Sequence, residues 1–362
     1  MGGYSIVLAV AALTTWALTP LVVRLAFRVH AVVKPDPRKV HELPTPTLGG
    51  LAMLGGVAAA MVVASMIPQF DAMFSGTVEP WGVLVAGVLI VGVGALDDLR
   101  EVSPPGKIAG QVLSASVLAV MGVTMFHFRI PFLGIFVMPP DLAPLVTVLW
   151  VVLMANAVNL IDGLDGLATG IVLIAGGAFF LYADRLFDEG LLPGSNMGPL
   201  VAIIAVGVCV GFLPHNFHPA KIFMGDAGSL LLGLLMASTT IVVGGRTADQ
   251  FSGQTYFFFA PLFIPFFILG VPILDTVFAI VRRSIKRTSF AVSDKEHLHH
   301  RLMRLGHGQR RSVMILWVWT LALSGLVLAP TYSNEGNALV PFGIATLGIF
   351  LYVLFHPGTR QV

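Results

Sequence analysis

The chain has 362 residues, 56% of them apolar and only 11% charged, with a formal net charge of +2 and a mean hydropathy of +0.88. That balance excludes a soluble globular domain and places the protein in the polytopic membrane class. The longest markedly polar stretch, about Arg282 to Arg311, is too short to bury a core of its own, and the single cysteine, Cys209, excludes disulfides and cysteine metal sites within one chain.

Stretches long and apolar enough to cross a bilayer fall near 5–27, 47–67, 80–96, 107–125, 142–158, 166–183, 198–214, 227–244, 256–281, 312–330 and 338–356. The fold class expected is therefore an all-α polytopic membrane protein of about eleven transmembrane helices, with residues 1–362 forming a single integral membrane domain. The opening Met1-Gly-Gly-Tyr4 lacks the basic flank of a secretory signal, so the first apolar run reads as a retained span. Between the fourth and fifth spans, Phe126 to Asp141 alternates aromatic and polar residues around Pro131, Pro139 and Pro140, which predicts a short hairpin on the membrane surface. An odd number of spans puts the termini on opposite sides. Of the 21 Lys and Arg, only Arg129, Arg185 and Arg246 fall on one side, leaving 18 on the other. The positive-inside rule makes the richer side cytoplasmic, with the N-terminus outside and the C-terminus inside.

Every loop with chemical character then lies on the cytoplasmic face, near 28–46, 97–106, 159–166, 215–226 and 282–311. The first carries Lys34, Asp36, Arg38, Lys39 and His41, is stiffened by Pro35, Pro37, Pro44 and Pro46, and ends in Gly49-Gly50. By itself it is also what any positive-inside loop looks like. The second places Asp97-Asp98 at the end of a span with Lys107 beyond; adjacent acids in an apolar setting require a cation or a basic partner.

The third is Asn156-Ala-Val-Asn159-Leu-Ile-Asp162-Gly163-Leu164-Asp165-Gly166. Asn156, Asn159 and Asp162 recur at i, i+3, so they emerge on roughly one side of a helix end, and Gly163 and Gly166 break it. Such a turn lets backbone approach a ligand while carboxylates bind a hard cation; it also reads as a helix cap followed by another. The fourth, Asn216 to Ser229, holds Phe223 and puts Asp226 at a helix N-terminus, where backbone N–H groups keep a carboxylate ionised. That suits Mg²⁺, and simple N-capping explains it equally. The fifth joins His297, His299, His300 and Arg301 to Arg282, Arg283, Lys286 and Arg287, which favours an anion site over a zinc site. Together the acids and bases describe one cytoplasmic pocket of the kind phosphoryl transfer needs. No Walker-type glycine loop is present, so ATP hydrolysis is not indicated.

These loops, in this order from Lys34 to Gly306, resemble the polyprenyl-phosphate N-acetylhexosamine-1-phosphate transferase family, which includes the phospho-MurNAc-pentapeptide translocase and the GlcNAc-1-phosphate transferases of the WecA/TagO type. The resemblance implies attack by a membrane polyprenyl phosphate on the sugar-linked phosphorus of a UDP-sugar, releasing UMP, with Mg²⁺ or Mn²⁺ in its place, in the cytoplasmic (inner) membrane of a prokaryote. By match of motif, Asp97 and Asp98 take the place of the family's paired acids, Lys107 of its phosphate-facing lysine, and Asp226, with Asp98, of its metal ligands. Asp162 joins the catalytic acids. Asn159, Gly163, Leu164, Asp165, Asn216 and Phe223 correspond to donor contacts, as do Lys39, His41, His297, His299, His300 and Arg301. The final motif, His-Leu-His-His-Arg-Leu, and Pro-Asp-Pro-Arg-Lys-Val-His ahead of Pro-Thr-Pro resemble the GlcNAc-1-phosphate branch, as does Asp275-Thr276 followed by Arg282-Arg283. The bilayer is an implied partner, a homodimer a family-level expectation, and no nucleic acid is expected.

An ion-coupled transporter is the rival class, and it predicts acids near mid-span and paired inverted repeats. Here the acids, apart from Asp275, sit at span ends and no internal repeat is evident. A passive scaffold leaves the five loops unexplained.

Overall fold

The structure, a computed structural model, describes residues 2–33, 44–130, 134–244 and 308–333 together with positions 341, 343, 344 and 348. Lys39, His41, Asp275, His297, His299, His300 and Arg301, with the expected span 256–281 and most of 338–356, lie outside the described residues.

The helices over the described residues are α1 (Gly2–Arg28), α2 (Gly49–Ala64), α3 (Asp71–Phe74), α4 (Glu79–Arg100), α5 (Pro104–Val120), α6 (Leu142–Ile161), α7 (Leu167–Asp188), α8 (Gly198–Asn216), α9 (Gly225–Gly244) and α10 (Gln309–Ser333). Six of them, α1, α4 and α6 to α9, are each long and apolar enough to cross a membrane. The expected second span holds α2, which ends three residues short of its limit; beyond it the chain turns through 92° into a short helical stretch, Pro68–Phe74. Pro68 is the reason, since it forces the preceding Ile67 into extended backbone and cannot continue a helix. The expected fourth span is likewise shorter, because α5 ends ahead of Gly122 at φ +105°, a left-handed stop. The predicted hairpin is present as β3 (His127–Ile130) paired antiparallel with β4 (Gly134–Val137). A ladder that sequence reading did not anticipate, β1 (Val32–Val33) against β2 (Thr45–Pro46), closes the neck of the first loop.

The bundle is arranged about α9. Its residues from Ala227 to Gly244 are all buried, as a helix apolar on every side must be, and α2, α4, α6 and α8 pack around it. Small residues let the helices close. A Cβ on Gly233 would stand 2.4 Å from the Ala155 Cα of α6, and one on Gly211 would stand 2.1 Å from the Ala12 carbonyl oxygen of α1. Where lipid surrounds the protein, such close van der Waals packing replaces the hydrophobic effect as the force between helices. Sparse interhelical hydrogen bonds add about 0.6–2 kcal/mol each: Trp150 Nε1 donates to Thr240 Oγ1 at 2.9 Å, and Ser114 Oγ to the Ala86 carbonyl at 2.7 Å.

The ends of α1, α4, α6 and α8 and the starts of α2, α5, α7 and α9 meet at one end of this bundle. That end carries Arg24, Arg28, Arg100, Lys107, Lys221, Arg310 and Arg311, while Arg129 and Arg185 lie at the other.

Candidate active site

The start of α9 is held from two sides. Gly50 of α2 lies so close that a Cβ there would be 2.3 Å from the Gly228 nitrogen, and one on Gly94 of α4 would be 2.4 Å from the Ala227 nitrogen. The first N–H groups of α2 donate to the Phe223 and Met224 carbonyls, at 3.1 Å from Gly49 and 3.0 Å from Gly50. The orphan N–H groups at the start of α9 find a carboxylate instead: Asp226 N donates to Asp98 Oδ1 at 3.0 Å and Ala227 N to Asp98 Oδ2 at 3.3 Å. Asp98, which Thr47 also reaches by a side-chain hydrogen bond, thus caps a helix other than its own. Gly225 completes the join with φ +67°; a Cβ on it would meet Asp98 Oδ2 at 2.3 Å and Thr47 Oγ1 at 2.4 Å.

Around this junction the predicted residues converge. Lys107 Nζ bridges Asp97 Oδ2 at 3.1 Å and Asp226 Oδ2. Asn159 Nδ2 donates to Asp226 Oδ1 at 2.7 Å and to Ser229 Oγ at 2.8 Å. Asp97 Oδ1 accepts from the Val102 N–H at 2.7 Å, which anchors the turn between α4 and α5. Asp162 follows the last residue of α6; burial first, then the charges of Asp98 and Asp165, pushes its carboxyl up to about 7. Asp97, Asp98 and Asp226 thus share the single ammonium of Lys107 among the described residues, an excess of acid that suits a further cation.

Other expected contacts are placed differently. Asn156 turns away and pairs its amide with buried Gln111 on α5, Nδ2 to Oε1 at 2.6 Å. Leu164, 2% exposed, belongs to the apolar core, where its side chain avoids water or lipid headgroups. Asn216 is equally buried, and its amide is bonded at both ends: Oδ1 accepts from Gly166 N at 3.1 Å and Thr169 Oγ1 at 2.8 Å, and Nδ2 donates to the Ile222 carbonyl at 3.0 Å. Asp165 Oδ2 accepts from His218 Nδ1 at 2.7 Å and from Ala220 N at 3.1 Å. In this structure Asn216 and Asp165 take their partners from the protein, as buried polar groups do, and Leu164 packs in the core. Gly163 is exposed, and Phe223 is half-buried with its backbone tied to Pro46 and Gly49.

Sequence reading passed over Ser229, Thr47 and His218. Ser229 was accessible by spacing, three residues beyond Asp226 and so on the same helix face; Thr47 and His218 are close only in three dimensions.

Among the described residues no three His, Cys, Asp or Glu side chains form a cage for a metal. Mg²⁺ does not require one, since it is commonly held by one or two carboxylates with water and substrate phosphate oxygens. Asp226, 23% exposed at its side chain and countered by Lys107, fits that description, and Asp98, with three donors on its two oxygens, keeps one lone pair free of them.

A helical membrane bundle with paired acids, a lysine and a helix-start aspartate at one end defines a membrane-embedded phosphoryl-transfer class. The pattern of glycosyl transferase family 4 matches residues 80–244. A decaprenyl-phosphate N-acetylglucosaminephosphotransferase of Mycobacterium tuberculosis is 38% identical over 349 residues, 93% of this chain and 86% of its own. A probable undecaprenyl-phosphate N-acetylglucosaminyl 1-phosphate transferase of Bacillus subtilis is 35% identical over 321 residues, 88% of this chain and 83% of its own. A phospho-N-acetylmuramoyl-pentapeptide-transferase of Desulforudis audaxviator is 35% identical over 344 residues, 88% of this chain and 96% of its own. The chain belongs to this family of membrane sugar-phosphate transferases.

Proposed function

We propose that the protein transfers GlcNAc-1-phosphate from UDP-GlcNAc to a polyprenyl phosphate, undecaprenyl or decaprenyl, giving polyprenyl-diphosphate-GlcNAc and UMP, the first membrane step of a cell-envelope polymer. The observation that carries the reading is the convergence of Asp97, Asp98, Lys107, Asn159 and Asp226 around the start of α9. The relatives named for GlcNAc phosphotransfer and the histidine motif His297-Leu-His299-His300 support this sugar over MurNAc-pentapeptide. The chain is oriented with the site at the cytoplasmic face of a bacterial inner membrane, the N-terminus outside and the C-terminus inside across eleven spans; the lysine and arginine distribution supports this.

Asp226, with Asp98 beside it, would hold Mg²⁺. The ion supplies charge neutralisation for the donor diphosphate and for the UMP that leaves. Lys107, paired with Asp97 and Asp226, would supply its charge to a donor phosphate bound beside them. Asn159 keeps Asp226 in one orientation by holding Oδ1. Asp97 orients the acceptor phosphate or takes its remaining proton; a phosphate monoester with a second pKa of about 6 is already mostly dianionic at neutral pH, so little base strength is asked of it. Direct attack by that phosphate and a two-step route through an aspartyl-phosphate both suit these acids. Only the second exchanges labelled UMP into UDP-GlcNAc with no lipid acceptor present.

The test uses the full chain purified in detergent with polyprenyl phosphate and Mg²⁺, offered UDP-GlcNAc or UDP-MurNAc-pentapeptide, with UMP release followed. UMP from UDP-GlcNAc alone, lost with Asp226→Ala and with EDTA, is the expected result. UMP from the pentapeptide donor alone overturns the sugar assignment, and UMP from neither overturns the activity.

A further inference from the structure

His218 lies within the fourth loop but is none of the residues assigned there to metal, phosphate or nucleotide, and it stands where three parts of the fold meet. The turn between α6 and α7 carries Asp162 and Asp165; the loop between α8 and α9 runs from Phe217 to Met224 and delivers Asp226; α10 begins at Gln309, shortly after the His297–Arg301 motif in sequence. The Asp165 carboxylate, 3% exposed, accepts from His218 Nδ1 at 2.7 Å and from Ala220 N at 3.1 Å, both through Oδ2. From α10, Arg310 Nε donates to the His218 carbonyl at 3.2 Å and Trp317 Nε1 to the Leu167 carbonyl at 3.4 Å. The Phe217 ring lies 5.8 Å from that of Trp317, and a Cβ on Gly166 would touch Phe217 at 3.3 Å.

We propose that His218 is a positioning residue: through Asp165 it clasps the Asp162 turn to the loop that delivers Asp226, and its carbonyl links both to α10. A buried carboxylate that loses its charged or polar donor pulls on whatever else it holds. Here that includes the Ala220 N–H, in the loop that leads into Asp226. Asn216, the last residue of α8 just ahead of that loop, grips Gly166 and Ile222 with its amide, so the two segments share two joins close together. Loss of the histidine join leaves the segments attached but free to shift, which is the behaviour of a positioning group and not of a core residue. In this arrangement Nδ1 makes the functional bond and Nε2 is dispensable.

The inference rests on the proposed transferase reaction for its kinetic arm and has a second arm that does not. Asn places a side-chain N–H near the position of Nδ1, whereas Gln reaches toward Nε2. His218→Asn is therefore expected to keep turnover within about threefold of wild type. His218→Gln and His218→Ala are expected to lose roughly tenfold or more in kcat, the size of one hydrogen bond to a charged group, with KM for UDP-GlcNAc and for lipid nearly unchanged. Rescue by Gln in place of Asn, or a loss confined to the KM for UDP-GlcNAc, would show that His218 touches substrate and overturn the proposal. In parallel, amide hydrogen exchange at Ala220 and Gly166 is measured on the same proteins without substrate. Faster exchange in His218→Ala and His218→Gln but not in His218→Asn is expected, and equal exchange in all four overturns the clasp even where wild type releases UMP. If wild type releases none, the transferase reading fails while the exchange arm still decides the clasp. If His218→Ala does not fold, the Asn and Gln pair carries both arms.

Discussion

Gly225→Ala is the sharpest test of how the site is built. Its φ of +67° costs a non-glycine residue about 1–2 kcal/mol. A Cβ would also stand 2.3 Å from Asp98 Oδ2, against the 3.4 Å at which ordinary contact begins, so Asp98 must retreat by the difference, 1.1 Å. That retreat breaks the bonds from Asp226 N and Ala227 N, each worth about 1.5–3 kcal/mol with a charged acceptor. Misplacement by about 1 Å in a reacting constellation lowers rate about a hundredfold. Initial rates of UMP release in detergent, with thermal unfolding in parallel, should show at least that loss together with a lowered midpoint. Gly92→Ala is the control, because it sits on the same helix as Asp98 and a Cβ there meets nothing within 4 Å. A Gly225→Ala protein with wild-type rate and midpoint would refute the account of Asp98 as the cap that sets Asp226.

Lys107→Met leaves Asp97 and Asp226 without their shared ammonium, and UMP release should fall about a hundredfold, the scale of losing one charge-stabilising group; an unchanged rate would remove Lys107 from the phosphate path. Asn216→Ala strands the Gly166 N–H and the Ile222 carbonyl, and at about 1–3 kcal/mol for each unsatisfied group its unfolding midpoint should drop clearly. Asp162 gives a pH signature. Its folded pKa lies near 7 against 3.8, so the folded state binds more protons than the unfolded chain between those values, and stability falls as pH rises through that window. Without Mg²⁺, Asp162→Asn should therefore unfold at a higher temperature than wild type at pH 8, with the advantage shrinking toward pH 4; an advantage constant across that range contradicts the assignment.

How far the residues could be read in advance depended on where their partners lie. Six spans, the hairpin after α5 and the acids that gather around Asp226 were legible, because apolar run length, proline and glycine punctuation and costly acids at span ends are local signals. The 92° break at Pro68 was encoded by that proline, and the apolar run 47–67 stops just short of it. Asn156 illustrates the limit. Its spacing placed it with Asn159 and Asp162, but positions six apart on a helix diverge by about 120°, and each side chain took the neighbour that its direction offered.

What the sequence by itself determined is the membrane class, the family and the chemical inventory, since composition and local motifs are sums over neighbouring residues. The tertiary structure decided which groups do the holding. Asp98 caps α9 across 128 positions of chain, and Asp165 takes its proton donors from a loop 53 positions away. Asn216 is engaged entirely within the protein. Those choices follow from the close approach of α2, α4 and α6 to α9 that Gly50, Gly94 and Gly233 allow, and contacts between distant segments exist only once the bundle has closed.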